Sequence, residues 1–444
     1  MSHKWFALLL ALVATPAAAE TIAIVNARIE TVAPAGTIPS GTLIMKDGRI
    51  AAVGASVAVP RDARVIDAAG KIVTPGLFAP STNLMVNEVN LVTSTRDDES
   101  GTELSAGFDV RYGLNPDSAL VPVARLTGVT SAAVTPLFGR ISLGAHDHDS
   151  LQGGGDGQGS DPPLFAGQAA VVRLAHGDVD PVIRAKAAVA LDLGEAGASR
   201  AGGSRGAAMV LVRSALADAR HFARNRASRD RGATWTYGLP RVDLEALVPV
   251  VEGRTPLLVR VSRASDIRET LRLAREEKIR VILEGAQEAW QLASEIAAAG
   301  VPVLLDPQDN LPRDFEQLAA RLDNAARLHA AGVTLAITAK RDFNSLRPIR
   351  LNAGTAVAYG LPYEAALAAI TLNPARIWGV AERKGSLEVG KDADVVIWSG
   401  DPLETTSHPV AVFIGGVEQP MTSRREQLRD RYMKPDDGYP PAYH

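Results

Sequence analysis

Between Gly128 and Thr338 short apolar runs alternate with stretches of helical periodicity, and this alternation restricts the fold more than any other feature of the chain. Gly128–Val134, Pro256–Ser262, Arg280–Leu283, Val301–Leu305 and Val333–Thr338 read as buried strands. Helical spacing fills Asp266–Glu277, Glu288–Ala299 and a long stretch from Phe315 to Ala331. Strands alternating with helices of such length require parallel βαβ crossovers, and this many of them point to a barrel. Periodicity alone leaves a doubly wound sheet open as well.

Both flanks of this region are β-rich. Thr21–Val32 is rich in Ile, Val and Thr, and Gly41–Gly54 holds Asp47-Gly48 between two apolar runs. Asp-Gly adopts the positive φ of a tight hairpin at little steric cost, so a hairpin is expected there. Arg64–Leu77 repeats the pattern with Ala69-Gly70 at its turn, and Ala393–Trp398 and Val410–Gly415 return to strand character near the other end. A chain that begins and ends in strands builds one small domain from its two ends. Two stretches interrupt the alternation: Gly139–Gly167 and the shorter Gly194–Ser204, which reads as a similar loop. The length of 444 residues suits one large domain with a smaller satellite.

The first residues have the three parts of a secretory signal peptide: Lys4, an apolar run from Trp5 to Val13, and Ala17-Ala18-Ala19 before Glu20. That run is too short to span a bilayer, and no later stretch reaches membrane-spanning length without charges. The chain has no cysteine, which excludes disulfides, a thiolate metal site and a cysteine nucleophile. A formal net charge of -3 supplies no basic stripe for nucleic acid. Export to a bacterial periplasm is the expected location.

Three motifs, in order and at matching spacing, resemble the amidohydrolase superfamily. They are Val73-Thr74-Pro75-Gly76-Leu77-Phe78, Thr371-Leu372-Asn373-Pro374-Ala375-Arg376, and Gly385-Ser386-Leu387-Glu388-Val389-Gly390-Lys391-Asp392-Ala393-Asp394-Val395-Val396. Gly167–Leu174 and the closing Arg424–Tyr432 are similar to the imidazolonepropionase-like, periplasmic branch. The resemblance implies an α/β fold: a distorted (β/α)8 TIM-like barrel with a composite β-sandwich built from N- and C-terminal strands. It partitions the chain into a signal peptide over 1–19, sandwich strands over 20–77, the barrel over 78–380, further sandwich strands over 381–420 and a tail over 421–444. It also implies hydrolysis of carbon–nitrogen bonds in non-peptide or small amide compounds, with zinc or another divalent metal at the strand ends.

The ligand positions that the resemblance implies carry other residues. A His-x-His pair is expected after the first barrel strand, where this chain has Ser81 and Asn83. A histidine closing Pro256–Val259 is replaced by Arg260, whose guanidinium has no lone pair to offer. No histidine stands near Leu283-Glu284-Gly285, and Lys340 occupies the place of the family's catalytic aspartate, two residues before Asp342. His146 and His148, flanked by aspartates, form a relocated alternative inside the glycine-rich stretch. The residues therefore argue against a resident cofactor, although the family expects zinc.

Two readings of Arg260 and Lys340 stand side by side. They replace the metal's charge and hold a small anionic ligand, or they pair with Glu88, Asp98, Glu99, Glu284 and Glu288 and plug the site. Asp266 is expected to cap the helix after the Arg260 strand, and Trp290 and Trp378 to pack helices. By descent the chain is a C–N hydrolase. The alternative is an inactive pseudoenzyme in a homo-oligomer, or in a hetero-oligomer with an active amidohydrolase homologue.

Overall fold

The computed structural model describes residues 20–89, 92–100, 104–137, 164–225, 235–309, 311–339 and 346–433. The chain opens with β1 (Ile22–Glu30), β2 (Thr37–Lys46), β3 (Arg49–Gly54), β4 (Arg64–Asp67) and β5 (Ile72–Pro75). Then follow β6 (Leu77–Thr82), α1 (Leu120–Arg125), β7 (Val129–Val134), β8 (Phe165–Gln168), β9 (Ala170–Arg173), β10 (Val182–Arg184) and β11 (Val189–Asp192). Helices α2 (Glu195–Arg200), α3 (Arg205–Arg224) and α4 (Arg241–Val251) lead into β12 (Leu257–Val261), α5 (Ala264–Glu277), β13 (Val281–Gly285), α6 (Ala293–Ala298), β14 (Val303–Leu305), α7 (Asn324–Ala330) and β15 (Leu335–Ile337). The chain closes with α8 (Ile349–Ala358), α9 (Tyr363–Ala369), α10 (Leu372–Ile377), β16 (Val395–Trp398), β17 (Pro409–Ile414), β18 (Val417–Glu418) and α11 (Arg424–Tyr432).

Both chain ends enter one mixed sheet in the order β18-β17-β16-β5-β1-β2-β3, with β4 also on β1. The expected hairpin is present: Lys46 faces Arg49, and Asp47 and Gly48 turn at φ 51° and 74°. Two left-handed residues match the right-handed twist of the strands they join. The second expected hairpin is corrected. Ala69 and Gly70 do turn at φ 49° and 78°, but β4 and β5 both lie parallel to β1, one after the other along its length. The C-terminal strands join through β16, which runs antiparallel to β5 with Val395 opposite Pro75. Ile24, Ile29, Leu43, Val73, Val395 and Phe413 pack as the core of this sheet.

The central region forms two further sheets, β10-β9-β7-β6 and β15-β14-β13-β12-β11-β8. β6 and β7 are parallel, and so are β11 through β15, as the βαβ alternation requires. The inserted β8 and β9 run antiparallel to their neighbours β11 and β7, a reversal that alternation did not disclose. The α/β class therefore stands, with mixed sheets. Among the described residues no ladder joins β6 to β15. The chain around α10 bridges those edges instead: Phe78 N–H donates to Ile370 O at 2.8 Å and Asn373 Nδ2 donates to Leu335 O at 2.9 Å. At the other seam Ala169, between β8 and β9, exchanges backbone bonds with Ala187 and Ala188.

Phe78, Ala133, Val171, Ala190, Leu258, Ile282, Leu304 and Ala336 belong to one buried apolar cluster, and each comes from a different strand. They mark the face on which those strands turn toward each other. The opposite strand faces join a larger core that includes Val212, Leu216, Ile267 and Leu328 from the surrounding helices.

Three local expectations change. Gly194–Ser204 contains α2 rather than a loop throughout. Within Phe315–Ala331 only α7 is helical, and its first residue follows Asp323. Asp266 does not occupy the cap position of α5, which Arg263 takes; it lies within the first turn and bonds Arg263 at 2.6 Å and Arg205 at 3.0 Å. Both tryptophans donate their ring N–H to backbone carbonyls outside helices: Trp378 Nε1 to Pro80 O of β6 at 2.8 Å and Trp290 Nε1 to Ala319 O at 2.7 Å.

The start of α7 yields a prediction for acid. The guanidinium of Arg321, assisted by Arg327, holds the Asp323 carboxyl at about 2. A depressed carboxyl stabilises the fold fully above its ordinary value of 3.8, and that contribution is lost as pH falls toward about 2. Because the group is 29% exposed, the contribution is below about 1 kcal/mol. Denaturant titrations across this window should show Asp323→Asn losing less stability with acid than the wild type. Superimposable acid profiles would mean that the pair contributes nothing.

Candidate functional site

Side chains two residues apart on a strand share a face, so the residue two beyond each member of the apolar layer continues the same inward direction. On β7 and on β11 to β15 those positions are polar: Thr135 after Ala133, Asp192 after Ala190, Arg260 after Leu258, Glu284 after Ile282, Asp306 after Leu304 and Thr338 after Ala336. All lie within one residue of the C-terminal ends of parallel strands. The register aligns Asp192 with Arg260 and Arg260 with Glu284, which makes a charged row across three neighbouring strands.

Arg260 Nη2 lies 3.5 Å from Glu284 Oε2, with its side chain 31% exposed and that of Glu284 only 2%. On the other carboxylate oxygen, Ser81 Oγ donates to Glu284 Oε1 at 2.6 Å. Ser81 reaches this carboxylate because the β6–β7 ladder slips between Ala79 and Thr82. Thr135 Oγ1 stands 3.1 Å from Ser81 Oγ. The single Ser81 proton goes to Glu284, so Thr135 donates to Ser81.

Arg200, at the end of α2, was not singled out by sequence reasoning, because its segment read as a loop. Its side chain is 2% exposed and lies 3.8 Å from Asp192. Burial pushes its guanidinium down, and neighbouring Arg260 adds to that while Asp192 and Glu99 oppose it. Asp192 Oδ1 accepts the backbone N–H groups of Gly194 and Gly197 at 2.9 and 3.2 Å, which fixes the turn carrying Arg200. Asp306 Oδ1 accepts Gln308 N–H at 2.9 Å and Asn352 Nδ2 at 3.0 Å, and Asn352 also donates to Thr338 O at 2.8 Å. The apolar run before Asp192 was the available signal for that strand; Asp306 and Thr338 simply continue strands already read.

Of the carboxylates expected to neutralise Arg260, only Glu284 forms an ion pair with it among the described residues. Asp98 accepts Asn83 Nδ2 at 2.9 Å and Asn87 Nδ2 at 3.0 Å, with Arg96 at 3.4 Å. Glu99 pairs with Arg96 at 2.9 Å. Glu88 accepts from Asn115 at 3.1 Å, and Glu288 accepts the backbone N–H groups of Ala264 and Ala319 at 2.9 Å each. Those four carboxylates brace the surrounding chain. Lys340, Asp342, His146 and His148 lie outside the described residues.

This donor set does not fit a divalent metal. The Ser81 proton and the Asn83 amide are committed to carboxylates, and Arg260 brings a permanent positive charge. The acceptor that these positions leave over is Asn83 Oδ1, one neutral oxygen where a metal needs several converging donors. Among the described residues no group of three or more His, Cys, Asp or Glu side chains is placed to hold a metal ion. What the geometry can do is offer a guanidinium to an anion and keep a hydroxyl on a buried carboxylate.

Comparison with known proteins places these features in context. The model of the amidohydrolase family matches residues 264–422. Over 118 residues the chain is 34% identical to amidohydrolase tasK of Hapsidospora irregularis, a match that spans 27% of this chain and only 12% of that protein. It is 26% identical over 429 residues to the imidazolonepropionase of Sphingopyxis alaskensis, covering 85% of this chain and 92% of that one. The crystal structure of an amidohydrolase from Thermotoga maritima superposes with a TM-score of 0.77 at 24% identity, over 91% of this chain and all 100% of the other. That last likeness speaks to the fold alone.

Proposed function

We propose that this chain, a member of the amidohydrolase superfamily, uses the mouth of that superfamily's barrel without a metal, holding the anionic group of a small ligand on Arg260. The observation that carries this reading is the Asp192–Arg260–Glu284 row, a fixed cation among strand-end side chains. A guanidinium suits a carboxylate because its forked donors match two oxygens at once. The apolar layer drawn from eight strands and the bridged seams support the finer fold, a distorted (β/α)8 barrel with a composite β-sandwich. Ligands of such barrels bind at the C-terminal strand ends, where this row lies.

By descent the ligand is a small amide or related C–N compound, and the similarity to an imidazolonepropionase over most of both chains supports that class. A second reading, an inactive subunit that pairs with an amidohydrolase homologue, draws on Leu311, Phe315 and Leu318. They stand 55%, 84% and 64% exposed in the segment after β14, where a partner would cover them. Among the described residues no helix is long and apolar enough to cross a membrane. The proposed location is the periplasm, after removal of residues 1–19.

Elemental analysis tests the reading. The purified protein, loaded with zinc and then washed with chelator, should retain far less than stoichiometric metal. Its melting temperature should be indifferent to both treatments. Near-stoichiometric retained zinc would sink the proposal and make His146 and His148 the first targets for substitution.

A further inference from the structure

We infer that Ser81 is a nucleophile and Glu284 its general base, so that the mouth can carry out acyl transfer to serine without a metal. Three observations carry this. The Ser81 Oγ–Glu284 Oε1 distance is 2.6 Å, which is the hydrogen-bond reach that an activated hydroxyl needs from its base. Glu284 is itself oriented by a third group, the Arg260 guanidinium 3.5 Å from its other oxygen. Ser81 and Glu284 are each 1% exposed, so their hydrogen bond acts at low dielectric. A nucleophile, a base within reach and a group that holds the base form the minimal covalent-catalysis constellation.

The chemistry balances without any further reagent than water. As the Ser81 Oγ bonds the carbonyl carbon of a small ester or an activated amide, its proton passes to Glu284 Oε1 and the carbonyl electron pair moves onto oxygen. Arg260 places a fixed positive charge beside that oxyanion. Collapse expels the alkoxide or amine, which takes the proton from Glu284. Water then attacks the acyl-serine, gives a proton to Glu284 and releases the acid, and Glu284 returns that proton to Ser81. Thr135, 3.1 Å from Ser81 Oγ, is a positioning residue: its donated hydrogen bond keeps the serine lone pair and proton in place.

This inference goes beyond ligand holding and stands or falls separately from it. The test is covalent labelling of the chelator-washed protein with a fluorophosphonate probe, followed by intact-mass measurement and peptide mapping. Ser81 displaces fluoride, so one adduct per chain should form, on the peptide that carries Ser81. Glu284→Gln should slow labelling about 100-fold, within the range removal of a general base produces. Thr135→Val should slow it by about 10-fold through misorientation, with the carboxylate intact. Mapping the wild-type protein needs no variant to fold. An unmodified Ser81 after prolonged exposure would overturn the proposal, as would equal labelling rates in wild type and Glu284→Gln. The probe carries no carboxylate, so a failure to label leaves anion holding on Arg260 untouched. Labelling without carboxylate binding would remove only the other reading.

Discussion

Lys384→Ala should destabilise the protein by about 3–5 kcal/mol, the cost of leaving buried carboxylates without their cation. Lys384 is 4% exposed, and its Nζ lies 2.6 Å from Asp394 Oδ2 and 3.1 Å from Asp392 Oδ2. Both carboxylates are less than a tenth exposed and have other duties. Asp392 also bonds Arg383 at 3.0 Å, and Asp394 Oδ1 accepts Gly415 N–H at 2.9 Å. Asp394 thus ties the chain before β16 to the turn after β17, at the edge where the C-terminal strands join the N-terminal ones. Removing the ammonium leaves Asp394 with no cation in ion-pairing range among the described residues, whereas Asp392 keeps Arg383. The effect should therefore exceed that of Arg383→Ala, because the Arg383 side chain is 52% exposed. Pairing Lys384→Ala with Asp394→Asn should recover part of the loss, because the second change removes the stranded charge. Urea unfolding of the two single variants and the double variant measures this. A loss under about 1 kcal/mol for Lys384→Ala would show that water solvates the cluster.

Arg260→Met is expected to weaken binding of small carboxylates by about 30- to 700-fold, which corresponds to about 2–4 kcal/mol for losing one partner of a hydrogen-bonded charge pair. Methionine keeps much of the side-chain length and removes only the cation, so packing changes little. Arg260→Lys should fall between, because an ammonium keeps the charge but lacks the fork that meets two oxygens. Arg260→Glu should abolish binding, since it would place a second carboxylate beside Glu284. Calorimetric titration of each variant against the same carboxylate panel decides the matter. Equal affinity in wild type and Arg260→Met would show that the guanidinium serves only Glu284.

Much of the fold was legible in the sequence because it is encoded locally. Asp47-Gly48 states its turn, and β12 to β15 with α5 follow the apolar runs and periodicities that announce them. The strand character of both ends led to the expectation that they meet, and β16 joins β5 in one sheet. Arg260, Ser81 and Asn83 were singled out through motif order, and they stand within one residue of the C-terminal ends of β12 and β6. The local reading failed wherever the partner lies far along the chain. Parallel β4 and β5 look like a hairpin until β1 is seen to accept both. Antiparallel β8 and β9 carry no signal of their direction, because a strand's residues do not specify which neighbour they meet.

The candidate site divides along the same line. The family resemblance marked where metal ligands are expected, and the residues at those positions include a cation and a hydroxyl. Only the tertiary structure decided that Ser81 bonds Glu284, 203 positions away, and that Arg200 joins Asp192 beside Arg260. Strand register and the slip between Ala79 and Thr82 set those pairings. Side-chain periodicity reports which residues face inward. Which of them touch depends on how whole strands are aligned, and packing over the full core fixes that alignment.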